Sequence, residues 1–163
     1  MSADNQDIIL GVVGVGLMGR GIAQIAAQAG TPVILYDSRP GGAREARDAL
    51  AKTFNSLAAR SKITAQAAEA AAGRLQVAGS LEDLKPCTVV VEAIFESLEA
   101  KRQLFRQLEA IVSQDCILAT NTSSLSITSI AAALAKPERV AGFHFFSPVP
   151  LMKIVEVIPG PLT

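Results

Sequence analysis

The residues able to do chemistry are few and well separated. They are a glycine-rich turn, Gly14-x-Gly16-x-x-Gly19, an aspartate at position 37, a hydroxyl at Ser123, the single histidine, His144, and a carboxylate, Glu156, inside an apolar run. Together they have the types that hydride transfer between an alcohol and a dinucleotide requires: a base for the hydroxyl proton, a partner for that base, a donor to the substrate oxygen and a cradle for phosphates. An imidazole titrates near neutral pH, so His144 fits the base. Its other reading is a core histidine within Phe143-His144-Phe145-Phe146, satisfied by a backbone carbonyl. Glu156, inside Ile154-Val155-Glu156-Val157-Ile158, is expected to face the core and to need a partner, because an unpaired buried charge is strongly disfavoured. Stabilising an imidazolium would satisfy both residues, whereas an edge strand would turn the carboxylate to water. Ser123, two residues past Asn121, fits a substrate contact or an N-cap for the helix that follows.

The glycine turn follows the apolar run Ile8 to Val13 and opens the apolar-periodic segment Leu17 to Ala29, which is the strand-to-helix context that gives such a fingerprint meaning. Gly14 is expected to make the tight turn, Gly16 to admit a pyrophosphate and Gly19 to let the helix lie on the strand. Val15, Leu17 and Met18 complete the loop, whose helical N–H groups would receive the phosphates. Asp37 ends the run Pro32 to Asp37, 18 residues beyond Gly19, where the fingerprint places the acid that accepts ribose hydroxyls. A carboxylate there favours NAD by repelling the 2′-phosphate of NADP, while the nearby Arg39 pulls the other way. The structural alternative for Asp37 is a cap on the Ser38-to-Gly42 turn.

The rest of the chain supplies elements to position these groups. Helices are expected over Leu17–Ala29, stopped by Gly30 and Pro32, over Ala43–Arg60, over Thr64–Ala72 closed by Gly73, over Leu98–Val112 with Ser97 as N-cap, and over Ile127–Leu134. Strands are expected at Leu75–Ala78, Thr88–Ile94, Cys116–Thr120, Val140–Phe146 and Lys153–Ile158, besides the two already described. This alternation implies an α/β fold: a Rossmann-type, doubly wound, mainly parallel sheet in a single domain, 1–163. Ligands lie outside the carboxyl ends of such strands, which selects the turn at Gly14, Asp37, Ala93 to Glu96, Asn121 with Ser123, His144 and Glu156.

Composition narrows the partners. With 163 residues, half of them apolar, the chain can form one core that buries roughly 70% of the unfolded surface. Fifteen basic against fifteen acidic residues give no net charge to attract nucleic acid or a membrane surface. Met1 to Asp7 has neither a basic nor a long apolar region, and no apolar run reaches the ~20 residues needed to cross a bilayer, so a soluble cytoplasmic protein is expected. Cys87 and Cys116 lack metal-ligand spacing, so no metal is expected and both thiols read as structural.

Four motifs in order, GVVGVGLMGRGIA, VVVEAIFESLEAKRQLF, NTSSLSIT and GFHFFSPVPLMKIVEVI, closely resemble the nucleotide-binding domain of the L-3-hydroxyacyl-CoA dehydrogenases, from Ile8 to the end of the chain. The resemblance implies NAD as cofactor and an acyl-CoA substrate. It makes His144 the catalytic base, Glu156 its paired carboxylate and Ser123 a hydrogen-bond donor to the substrate oxygen that also lies near the nicotinamide. Glu96 and Lys101 become cofactor-side contacts, with Lys101 within reach of CoA, and Thr53 and Arg60 take positions where family members touch CoA. Ser147 stands where the family usually has Asn, and its shorter side chain leaves a cofactor or substrate contact weaker or handed to water. The family also has a second, helical domain that contributes a further catalytic Asn and a homodimer interface, so the chain reads as a fragment of a two-domain enzyme. Two other functions fit the residues: a 3-hydroxyacid dehydrogenase whose substrate lacks CoA, and a dinucleotide-binding module without catalysis.

Overall fold

The computed structural model describes residues 8–163, so the reading of Met1 to Asp7 lies outside the described residues. Short apolar runs form β1 (Leu10–Val13), β2 (Val33–Tyr36), β3 (Leu75–Val77), β4 (Val89–Glu92), β5 (Ile117–Thr120) and β6 (Val140–Phe145). These six pair in parallel in the order β3-β2-β1-β4-β5-β6, and β7 (Val155–Pro159) adds antiparallel beside β6. The parallel part has the doubly wound order in which the chain reverses direction across the sheet between β1 and β4.

Among the described residues five helices cover the two faces: α1 (Leu17–Gln28), α2 (Gly42–Ala59), α3 (Ala65–Gly73), α4 (Leu98–Ile111) and α5 (Ile127–Ala131). Successive strand residues point to opposite faces, so Val12 joins the core under the first three helices and Val13 the core under the last two. Ile22, Leu50 and Phe54 anchor the first layer, and Phe105, Leu108 and Ile130 the second. Both faces are therefore covered, which is why the strands read as continuous apolar runs rather than alternating ones.

The expected boundaries hold to within a few residues, and the differences have local causes. Gly30 follows the last turn of α1 at a φ of +99°, the left-handed position that favours glycine. The Ser97 hydroxyl accepts from Ala100 N at 3.4 Å and starts α4. Gly73 belongs to α3 rather than closing it, because Arg74 caps the helix with a right-handed backbone. The fifth helix stops at Ala131, short of Leu134, and 3-10 turns at Leu81–Leu84 and Pro137–Arg139 occupy connections with no expected element. No helix among the described residues is long and apolar enough to cross a membrane.

Candidate active site

At the carboxyl end of β1 the chain turns at Gly14, with φ of +89°, and a Cβ there would stand 2.7 Å from the Ala93 carbonyl oxygen. Gly19 is held by another contact: a Cβ on it would run into the Gly14 carbonyl oxygen. Both glycines are thus demanded by the protein's own packing. Gly16 is not. Its φ is −67° and an added Cβ would meet nothing within 4 Å, so the protein itself would tolerate a side chain there. A group lying against the loop from outside supplies the missing reason, and a pyrophosphate is such a group. Gly16 is also the N-cap of α1 without a side-chain cap, and no acidic residue occupies the first turn, so the positive end of a twelve-residue helix is open to an anion.

Asp37 does two structural jobs. Its Oδ2 accepts from Val15 N at 3.0 Å, tying the loop to β2, and its Oδ1 accepts from Arg39 N at 2.9 Å, which is the turn cap weighed as an alternative. Each carboxylate oxygen has a second lone pair for a ribose hydroxyl. Arg39 pairs instead with Glu45 at 2.9 Å on the exposed surface, so its charge is engaged in an ion pair on the α2 side.

Two clefts meet at this edge. One, of about 420 Å³, is lined by Gly14, Gly16 and Asp37 on one side and by Leu81, Ile94 and Leu104 on the other. The second, of about 400 Å³, is lined by residues including Met18, Glu96, Asn121, Ser123, His144 and Ser147. Ala93, Ile94 and Phe95 line both, so the two clefts adjoin across the end of β4. Together they form a continuous trough along the carboxyl ends of the strands, where doubly wound folds take their ligands. Leu17 lies outside both, exposed at the start of α1, and Val15 is buried beneath the loop.

In the second cleft His144 Nδ1 is 2.9 Å from Glu156 Oε2. The pair arises because His144 and Glu156 are direct neighbours in the antiparallel β6 and β7 register. The expected partnership is present, but the expected burial of Glu156 is not: β7 is an edge strand and this carboxylate is 53% exposed, so the pair results from register rather than from a need to neutralise a buried charge. His144 is 21% exposed and packs its ring 4.6 Å from that of Phe146. The cap of α5 is Ser126, whose hydroxyl accepts from Ser129 N, so the capping alternative for Ser123 falls away. Asn121 Oδ1 accepts from Phe145 N at 3.0 Å and fastens the end of β5 to the end of β6.

The residue that sequence reasoning missed is Glu92. It ends an apolar strand, is fully buried, and gathers Ile94 N at 2.6 Å and Lys101 Nζ at 2.5 Å on Oε1 and the Thr120 hydroxyl at 2.7 Å on Oε2. The signal was a carboxylate closing an apolar run, with a lysine nine residues later, one turn into the next helix. Lys101 is itself 1% exposed, and its ammonium also reaches the Ile94 carbonyl and, at 3.7 Å, Glu96 Oε2. It lines the second cleft, with its ammonium held by the Glu92 carboxylate and the Ile94 carbonyl. Glu96 accepts from the Thr122 hydroxyl at 2.9 Å and from Ser123 N at 3.4 Å, so it holds the Ser123 turn. Thr53 lines a separate cleft of about 170 Å³ with Arg20 and Pro148, and Arg60 is exposed at the end of α2. The structure brings neither of them into the cleft of His144.

A doubly wound sheet, a glycine turn feeding an open helix N-terminus and an aspartate at the end of β2 define a dinucleotide-binding domain of the nicotinamide-dependent dehydrogenase class. The chain belongs to the family described as 3-hydroxyacyl-CoA dehydrogenase, NAD binding domain, which matches residues 9–163. It is 45% identical over 149 residues to the 3-hydroxyadipyl-CoA dehydrogenase of Escherichia coli K12, covering 91% of this chain and 31% of that protein. It is 43% identical over 150 residues to a probable 3-hydroxybutyryl-CoA dehydrogenase of Deinococcus radiodurans, covering 92% of this chain and 54% of the relative. The crystal structure of 3-hydroxybutyryl-CoA dehydrogenase from E. coli K12 superimposes with a TM-score of 0.93 at 44% identity, over 96% of this chain and 33% of that one. The chain therefore spans about a third to about half of the length of these relatives.

Proposed function

We propose that this chain is the cofactor-binding part of a longer, two-domain enzyme that oxidises the 3-hydroxyl of an L-3-hydroxyacyl-CoA to a 3-keto group. The observation that carries the reading is the His144 and Glu156 pair in the cleft beside Ser123. A carboxylate accepting from Nδ1 leaves Nε2 as the nitrogen with a free lone pair. NAD, when bound, supplies the hydride acceptor. His144 takes the hydroxyl proton on Nε2, and Glu156 holds the Nδ1 hydrogen and balances the charge of the imidazolium. Ser123 donates to the substrate oxygen. Thr53 and Arg60 lie outside the reacting cleft, in keeping with a role toward the distant end of CoA, where a guanidinium can grip a phosphate through two parallel bonds. The second domain would complete the acyl cleft and the homodimer.

The test is reduction of acetoacetyl-CoA by the full-length protein with NADH, set beside reduction of free acetoacetate. Turnover of the thioester with little of the free acid, and a raised KM for the thioester in Arg60→Ala, is the expected result. Equal use of both substrates would point to a hydroxyacid dehydrogenase indifferent to CoA. Tight NAD binding with no turnover of either would make this a binding module.

A further inference from the structure

Lys101 stands between two carboxylates, 2.5 Å from Glu92 and 3.7 Å from Glu96. The first pair is sealed, with side chains 0% and 1% exposed, while Glu96 is 44% exposed at the wall of the second cleft. Two carboxylates against one ammonium leave one formal negative charge, and the only member that faces the cleft with a substantial surface is Glu96. Its direction is fixed by the Thr122 hydroxyl and Ser123 N, so the charge is held in place before any ligand arrives.

We propose that this cluster makes the second cleft discriminate between the oxidation states of a nicotinamide, favouring the cationic oxidised ring over the neutral reduced one. The inference rests on the reading that this cleft receives the nicotinamide. A fixed negative charge in a cleft of lowered dielectric attracts a cation and is indifferent to a neutral ring of the same shape. Glu92 is a positioning residue here: it holds the Lys101 ammonium beneath the cleft, so that Lys101 orients Glu96 without fully cancelling it. The charge arrangement suits the reaction. With NAD bound, the ring would take the hydride and lose its positive charge on the Glu96 side, while His144, taking the hydroxyl proton, gains one beside Glu156. Each location has its own carboxylate.

The experiment measures binding of NAD⁺, NADH and ADP-ribose to the protein by calorimetry. ADP-ribose lacks only the nicotinamide base, so it reports on the adenosine, the pyrophosphate and both riboses. In Glu96→Gln the ratio of NAD⁺ to NADH affinity falls by roughly tenfold, the order expected for a half-exposed unit charge about 4 Å from the ring at an effective dielectric of ~60, while ADP-ribose binding stays within about twofold. Glu92→Gln, which also removes one negative charge, shifts the ratio in the same direction. Glu96 is half-exposed, so Glu96→Gln carries the test even if the buried substitution prevents folding. An unchanged ratio in Glu96→Gln, or a parallel fall for ADP-ribose, overturns the inference and leaves the placement of the nicotinamide standing. Equal affinity of the unaltered protein for NAD⁺, NADH and ADP-ribose overturns the placement and the inference together.

Discussion

His144 and Glu156 face one another across two antiparallel strands, and their side chains meet at 2.9 Å at the only antiparallel junction of the sheet among the described residues. On the proposed mechanism the imidazole is the base, so His144→Ala in the full-length protein should lower turnover by at least ~10²-fold. Glu156→Gln keeps a hydrogen bond but loses the compensating charge and should cost about tenfold or more. Because Glu156 acts only through the imidazole of His144, the double variant should be scarcely worse than His144→Ala, and steady-state kinetics of the three proteins test this. Additive losses would mean that the two residues act separately.

The glycine turn divides into packing and ligand roles. Gly14→Ala meets a positive φ and the Ala93 carbonyl, and should lower stability by about 1–3 kcal/mol. Gly16→Ala meets open space and an ordinary φ, so its melting temperature should match that of the unaltered protein, yet NAD binding should weaken by roughly tenfold or more where a Cβ intrudes on the phosphates. Melting curves with and without NAD separate the two effects. Normal NAD binding by Gly16→Ala would remove the pyrophosphate from this loop.

Asp37 joins cofactor choice to loop order. Asp37→Ala should weaken NAD binding by about 10-fold to 100-fold, the range of a hydrogen bond to a charged group. NADP should lose far less or gain, since the repelling carboxylate is gone. Titration with both cofactors gives the ratio. Equal losses for the two would mean that Asp37 matters only through its bond to Val15 N.

Burial pushes the Cys87 thiol up to about 12, with the neighbouring Cys116 adding to the shift, and burial pushes Cys116 up to about 11. Both groups stay protonated in the folded protein at pH values where the unfolded chain ionises, so the unfolded state binds fewer protons there and stability falls as pH rises. The loss should begin near pH 9 and continue to about pH 11–12. Urea unfolding between pH 8 and 11 checks it, and Cys87→Ala should make the decline shallower. The same burial predicts slow reaction of both thiols with a disulfide reagent at pH 8 until the chain is unfolded.

The sheet was legible because both faces are covered: runs such as Val89–Glu92 and Ile117–Thr120 are apolar without alternation, and the glycine turn marks where the first strand stops. Ser97 and Gly30 announced helix ends through chemistry that works locally. The site was less legible where it depends on partners distant in sequence. Glu92 lay unremarked inside the expected strand Thr88–Ile94 because its partners Lys101 and Thr120 come to it only through the folding of β4, α4 and β5. Glu156 was expected to be buried from its apolar flanks, yet strand order, which a local pattern does not encode, put it at an edge. Ser126 rather than Ser123 caps α5 because three hydroxyl residues within four positions all suit a cap, and only the backbone chooses among them.

The reversal of direction at β7 separates two inheritances within one sheet. Six parallel strands are sufficient to form the cradle for a dinucleotide, and a chain ending just before Val155 would still possess the whole of that cradle. It would also possess a histidine with no carboxylate to answer it. On the proposed mechanism, a frameshift just before Val155 would spare the cradle and leave His144 and Ser123 in place, and would silence the reaction only through the lost carboxylate.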